Sequence, residues 1–119
     1  MDIQVRTDYH VDGDQGLIAY VEQQVSTGLE PFSEKITSVQ VHLGEESGAR
    51  KGPHELRCLV EVRLGGHEPV AVRRRGSAKD VVVHGAVADM RHVLERLYGR
   101  LDAGHGGAET IRKPASPRR

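Results

Sequence analysis

The sequence predicts an α+β fold of order β-α-β-β-β-α, one four-stranded sheet with two helices packed on one face. Three observations predict it. Apolar residues alternate over Glu55–Leu64, with Leu59 the one exception, and run into Gly65-Gly66; Leu17, Val21, Val25 and Leu29 recur every fourth position; and a longer stripe links Val83, Val87, Met90, Leu94, Leu97 and Leu101. Alternation is the period of a half-buried strand, and the three-to-four spacing is that of one helix face. At 119 residues there is room for one core. With 37% hydrophobic and 3% aromatic residues, that core has to be built from Val, Leu, Ile and Ala.

Each element has its own signal. Ile3 and Val5 alternate with Gln4 and Arg6 as a first strand. Gly13 and Asp14 then interrupt the chain, and Asp14 is suited to cap the helix that begins at Gln15. Gly28 and Pro31 end that helix. Val39, Val41 and Leu43 alternate with Ser38, Gln40 and His42 in a second strand, and Gly44 to Pro53 reads as an exposed loop. In the third strand Leu56, Cys58, Val60, Val62 and Leu64 face inward. Glu55, Arg57, Glu61 and Arg63 face out, together with one apolar exception, Leu59. Gly65-Gly66-His67 is a hairpin signal, and Glu68–Arg75 is the returning strand, with Val70 and Val72 inward. The last helix opens at Ser77-Ala78-Lys79-Asp80, with Ser77 as candidate N-cap and Asp80 near the positive end of the dipole. Its stripe persists for about six turns, which favours helix over strand at Val81-Val82-Val83 despite Gly85 and Gly99. The folded domain spans residues 1–101, and the Gly-, Pro- and charge-rich residues 102–119 read as a disordered basic tail. The open face of the sheet is expected to show Gln4, Arg6, Gln40, His42, Arg57, Arg63, Arg73 and Arg75.

Charge is the most informative feature for function. Residues 1–49 hold two basic and nine acidic side chains, net −7, whereas residues 50–119 hold fifteen basic and eight acidic, net +7. Asymmetry of this kind points the basic half toward a polyanion. Its focus is Arg73-Arg74-Arg75 followed by Lys79, groups that bind phosphates through charge-assisted and often bidentate hydrogen bonds. On the last helix His92, Arg96 and Arg100 share one stripe beside Arg91. Alternation splits the triplet, sending Arg73 and Arg75 to the open face and Arg74 toward the helices. A solvated face that only aids solubility is the competing reading of any one of these residues.

Other chemistries find little support. The seven histidines stand at 10, 42, 54, 67, 84, 92 and 105, with no pair at i, i+4 and no CxxC, so no metal site is expected. Cys58 is the sole thiol and falls on the inward strand face, where a cysteine is an inert core residue. No G-x-S-x-G or paired-carboxylate motif is present, and Gly104-His105-Gly106-Gly107 lacks the strand and helix of a phosphate loop. Neither catalysis nor a cofactor is expected, nor a small-molecule substrate. A single cysteine, no apolar run of membrane-spanning length and no secretory pattern at the N-terminus suggest a cytoplasmic protein with no membrane partner. Tyr9, Tyr20, Phe32 and Tyr98 fall in loops or helices, so RNA binding would rest on phosphate and shape.

The order of elements, with Ile3-Gln4-Val5, Leu17-Ile18-Ala19-Tyr20-Val21, Ile36-Thr37-Ser38-Val39-Gln40-Val41 and the helix opening at Ala78-Lys79-Asp80, resembles the bacterial ribosome hibernation-promoting factors, the protein Y family. The resemblance covers about residues 1–101 and is to the short form. It implies a double-stranded-RNA-binding-domain-like fold that sits in the small ribosomal subunit, against rRNA, and inhibits translation in stationary phase or stress, without enzymatic activity. By position, Arg73, Arg74, Arg75 and Lys79 match the family's basic strand end and helix start, and Arg91, Arg96 and Arg100 its basic final helix. Two departures leave an alternative reading, a non-enzymatic protein-interaction module of the same fold. Glu95 interrupts the basic helix, and the first half of the chain is acidic.

Overall fold

The computed structural model describes residues 1–8, 15–46 and 55–99. The elements are β1 (Asp2–Thr7), α1 (Gln15–Gly28), β2 (Ile36–Glu46), β3 (Glu55–Leu64), β4 (His67–Gly76) and α2 (Lys79–Tyr98), with a 3₁₀ turn at Glu30–Phe32 after α1. The predicted order is found. Asp14, Arg100, Leu101 and the tail fall outside the described residues, as does most of the expected loop.

The sheet is ordered β1-β2-β3-β4. β1 and β2 are parallel, so the chain must cross over between them, and α1 supplies the crossover. β2, β3 and β4 follow as antiparallel neighbours. Gly66 turns the β3–β4 hairpin at φ 74°, a left-handed conformation that glycine adopts without a Cβ penalty. Where the sequence suggests a loop from Gly44, β2 continues to Glu46. Gly44 pairs with Arg57 there, and the Asp8 carboxylate lies over it where a Cβ would collide. A residue that looks like a loop glycine is a strand glycine that makes room for a neighbouring side chain.

One face of the sheet carries the core. Val39, Val41 and Leu43 of β2 and Cys58, Val60, Val62 and Leu64 of β3 meet Val21 and Val25 of α1 and Val82, Val83, Ala86, Val87, Met90 and Leu94 of α2. Nine of the 18 buried apolar residues are valines and Phe32 is the one aromatic, the core that the composition requires. Burying a Val or Leu side chain contributes about 1.5–3 kcal/mol, and branched side chains pack well against a pleated sheet.

α2 runs antiparallel to β4. Gly76 faces Val82, Arg74 lies over Gly85, and at the far end the Tyr98 ring sits 6.3 Å from Phe32 with Lys35 Nζ 5.0 Å above it. Two expectations for this helix are corrected. Ala78, not Ser77, is the N-cap, in extended conformation and with no side-chain cap. β4 runs on to Gly76, which leaves Ser77 outside the capping position. The Asp80 carboxylate instead accepts from the N–H of Val81 at 2.9 Å. Leu97 does not continue the buried stripe but is 38% exposed, because the stripe turns from Leu94 onto Tyr98, which packs on Phe32.

A candidate nucleic-acid interface

The two-layer architecture divides the basic residues that the sequence singles out. Arg73 and Arg75 lie on the open face of the edge strand β4, both exposed, as alternation predicts. Arg74, between them, turns toward the helices. Its Nε donates to Asp89 Oδ2 at 3.0 Å and its Nη2 to Asp89 Oδ1 at 3.1 Å, a bidentate pair joining β4 to α2. Gly85 lets the guanidinium lie flat on α2, where a Cβ would press on it. The hydrogen bonds from Arg74 hold the Asp89 carboxyl below the usual carboxylate range, against a smaller opposing effect of burial. Arg74 is thus already engaged with an anion.

Lys79 is exposed at the first turn of α2, at the end where β4 leaves the sheet. A cation there gains nothing from the helix dipole, whose N-terminal end is positive. Arg91 and Arg96 are exposed on α2, in the layer opposite the open sheet face. Arg91 Nε lies 3.5 Å from Glu95 Oε2, one turn on. Arg96 shares a shallow depression with His92 and Glu95. The structure therefore brings Arg73 and Arg75 together on one side and Arg91 and Arg96 on the other, with Arg74 tied between strand and helix.

Strand register adds residues that sequence reasoning left outside the candidate site. Reading across the open face, Arg6 of β1 pairs with His42 of β2, His42 with Leu59 of β3, and Leu59 with Arg73 of β4. The next row toward the β4 exit pairs Gly44 with Arg57 and Arg57 with Arg75. Arg6 belongs to the acidic half of the sequence, yet it faces the same surface as Arg73. Alternation predicts that shared face, but only the pairing of β1 with β2 puts Arg6 in the same row as Arg73, and no local pattern encodes that register. The row on the other side, Gln4–Gln40–Glu61–Ala71, carries one carboxylate and no cation.

The remaining chemistry-bearing residues are placed as follows. Cys58 is fully buried, and burial pushes its thiol up to about 12. His84 Nδ1 lies 3.2 Å from Gln24 Oε1 across the groove between the helices. This groove encloses about 280 Å³ and also borders Arg91. Among the described residues, no three His, Cys, Asp or Glu side chains gather as a metal-binding group. No helix among them is long and apolar enough to cross a membrane.

No protein-family model matches the sequence, and no curated protein matches it. Solved structures do. The N-terminal domain of Thermus thermophilus protein Y is similar over 82% of this chain and 99% of its own, with a TM-score of 0.66 and 16% identity. A ribosomal subunit interface protein from Coxiella burnetii is similar over 84% of this chain and 100% of its own, with a TM-score of 0.69 and 14% identity. The chain shares the α+β fold of these two proteins, the fold that the hibernation-factor resemblance implied.

Proposed function

We propose that this chain is a cytoplasmic, non-enzymatic ribosome-associated protein that binds small-subunit rRNA through its basic side chains and holds translation in check during stationary phase or stress. The observation that carries the reading is the fold, shared over more than four-fifths of the chain with a protein described as a ribosomal subunit interface protein. The basic rows of the open sheet face support it. The planar guanidinium fork is pre-organised for phosphate, so less freedom is lost per hydrogen bond formed, and counterion release adds affinity. Arg73 and Arg75 are the leading contacts, with Lys79, Arg91, Arg96 and Arg100 as further candidates. Arg74 contributes by holding the edge strand against α2.

Gradient fractionation of stationary-phase cells is the test. The protein should run with small subunits or whole ribosomes, and addition of purified protein to a translation extract should lower synthesis. A protein found only at the top of the gradient would overturn the reading. One observation favours a second reading, a protein-interaction module of the same fold: on α2, Asp89 and Glu95 already engage Arg74 and Arg91. A stoichiometric protein partner captured from ribosome-free lysate, together with no ribosome association, would select it.

A further inference from the structure

We infer that the open sheet face takes a single strand of RNA, running across the β-strands along the row Arg6–His42–Leu59–Arg73. Arginines hold its phosphates, and the His42–Leu59 centre supports a base. The inference rests on the proposed ribosome association and specifies which surface meets RNA and in what form.

The row is the one line across the sheet with a cation at each end and no carboxylate in it. Three inter-strand steps of about 4.8 Å place Arg6 and Arg73 about 14 Å apart at the Cα level, on the two edges of the sheet. Between them are an imidazole and Leu59, the apolar exception on an otherwise polar face, both half-buried. Histidine is among the side chains on which unpaired bases stack, and a flat apolar neighbour widens the platform. The face lacks Phe, Tyr and Trp among its described residues, but it does not lack a stacking surface. Arg57 and Arg75, one row or about 6.7 Å further along the strands, broaden the positive band at the β3–β4 side.

Acidic positions on both flanks decide between strand and duplex. Glu61 lies in the row on one side. On the other, the Asp8 carboxylate covers Gly44, and exposed Glu55 stands two residues beyond Arg57. A duplex presents two lines of phosphate separated by a groove. If one line followed the basic row, the second would meet Glu61 on one side and, past Arg57 and Arg75, the Glu55 carboxylate on the other. A single strand follows the row without meeting them. On the helix layer Arg74 and Arg91 each have a carboxylate partner, and Glu95 stands one turn on from Arg91 among the basic residues of α2.

Fluorescence anisotropy of the full chain with labelled oligouridine, and with a blunt RNA duplex of equal length, tests the inference at low salt. Oligouridine should bind about tenfold or more tightly than the duplex, with a salt slope of roughly −0.7 for each phosphate engaged. Arg6→Gln and Arg73→Gln should each weaken binding and lower that slope by roughly 0.7. His42→Ala should weaken it about tenfold with the slope unchanged, as expected for stacking. Arg63→Gln, on the same face opposite Ser38, should bind as the parent does. Unchanged circular dichroism and melting would confirm that each variant folds. Tighter binding of the duplex, no oligouridine binding at low salt, or losses confined to Arg91→Gln and Arg96→Gln would each overturn the inference. If ribosomes bind the parent, Arg6→Gln and Arg73→Gln proteins equally, the sheet-face assignment falls while ribosome association stands.

Discussion

Gly28, at the end of α1, should be intolerant of alanine, although a glycine in a helix ordinarily gains from that change. A Cβ built on Gly28 overlaps Cγ1 of Val87, a side chain 4% exposed in the core of α2. Valine is stiff at χ1, so Cγ1 cannot swing aside as the end of a long side chain would. Overpacking of this kind costs about 1–3 kcal/mol. Against it stand the helix propensity of alanine and the reduced freedom of the unfolded chain, together up to about 1 kcal/mol and less at the last helical residue. The net is a loss of about 1–2 kcal/mol, or roughly 5–15 °C in Tm for a domain of this size. Urea and thermal melts of Gly28→Ala, Val87→Ala and the double variant form the assay. Val87→Ala alone should cost about 1.5–3 kcal/mol. The double variant should be more stable than the sum of the single effects by about 1 kcal/mol or more, because the added methyl occupies vacated space. A stabilised Gly28→Ala, or strictly additive effects, would refute the close approach of α1 to α2.

Three further predictions follow from local geometry. Asp89→Asn should destabilise the protein at neutral pH. The lowered carboxyl contributes stability above its unfolded value near 3.9, and that contribution is lost as pH falls through the depressed folded value. Its gap from the parent in urea midpoint should therefore close below about pH 4, and a gap constant from pH 7 to pH 2 would contradict this. Cys58, buried and with its thiol pushed up to about 12, should resist iodoacetamide at pH 8 in the native protein and react fully in denaturant; fast native labelling would contradict its placement. Gly66→Ala should cost about 1–2 kcal/mol through its positive φ, whereas Gly65→Ala, with open space around its Cβ, should be near neutral in the same melts.

What the sequence revealed, and what it withheld, follows the range of the interactions involved. β3 was legible to its boundaries, because its inward positions 56, 58, 60, 62 and 64 are all apolar and a two-glycine turn ends it. Arg73, Arg74 and Arg75 were correctly split between faces, since side-chain direction along a strand has a period of two. The partner of Arg74 was not legible. Asp89 comes near it only through the antiparallel passage of α2 over β4, which no local pattern specifies. The N-cap was misplaced by one residue because Ser77 has the chemistry of a cap, while the strand before it decides where the helix can begin. The candidate site was half legible. Its β4 side stands out as a run of arginines, and alternation puts Arg6, His42 and Leu59 on the same face, but their common row with Arg73 depends on strand register, a long-range property. Leu59, the one break in the alternation of β3, is the only part of the inferred platform that local sequence marks out.

Ribosome association through exposed arginines is tested most directly by co-sedimentation of purified protein with small subunits and whole ribosomes across a salt series. The comparison is between the parent protein and Arg73→Glu/Arg75→Glu. Both substituted residues are exposed on an edge strand, so the variant should fold and melt like the parent. Parent protein should appear in the ribosome fraction at low salt, with log K falling linearly in log salt, and the double variant should stay in the supernatant throughout. Parent protein that remains in the supernatant at the lowest salt, or a double variant that pellets equally well, would contradict that expectation.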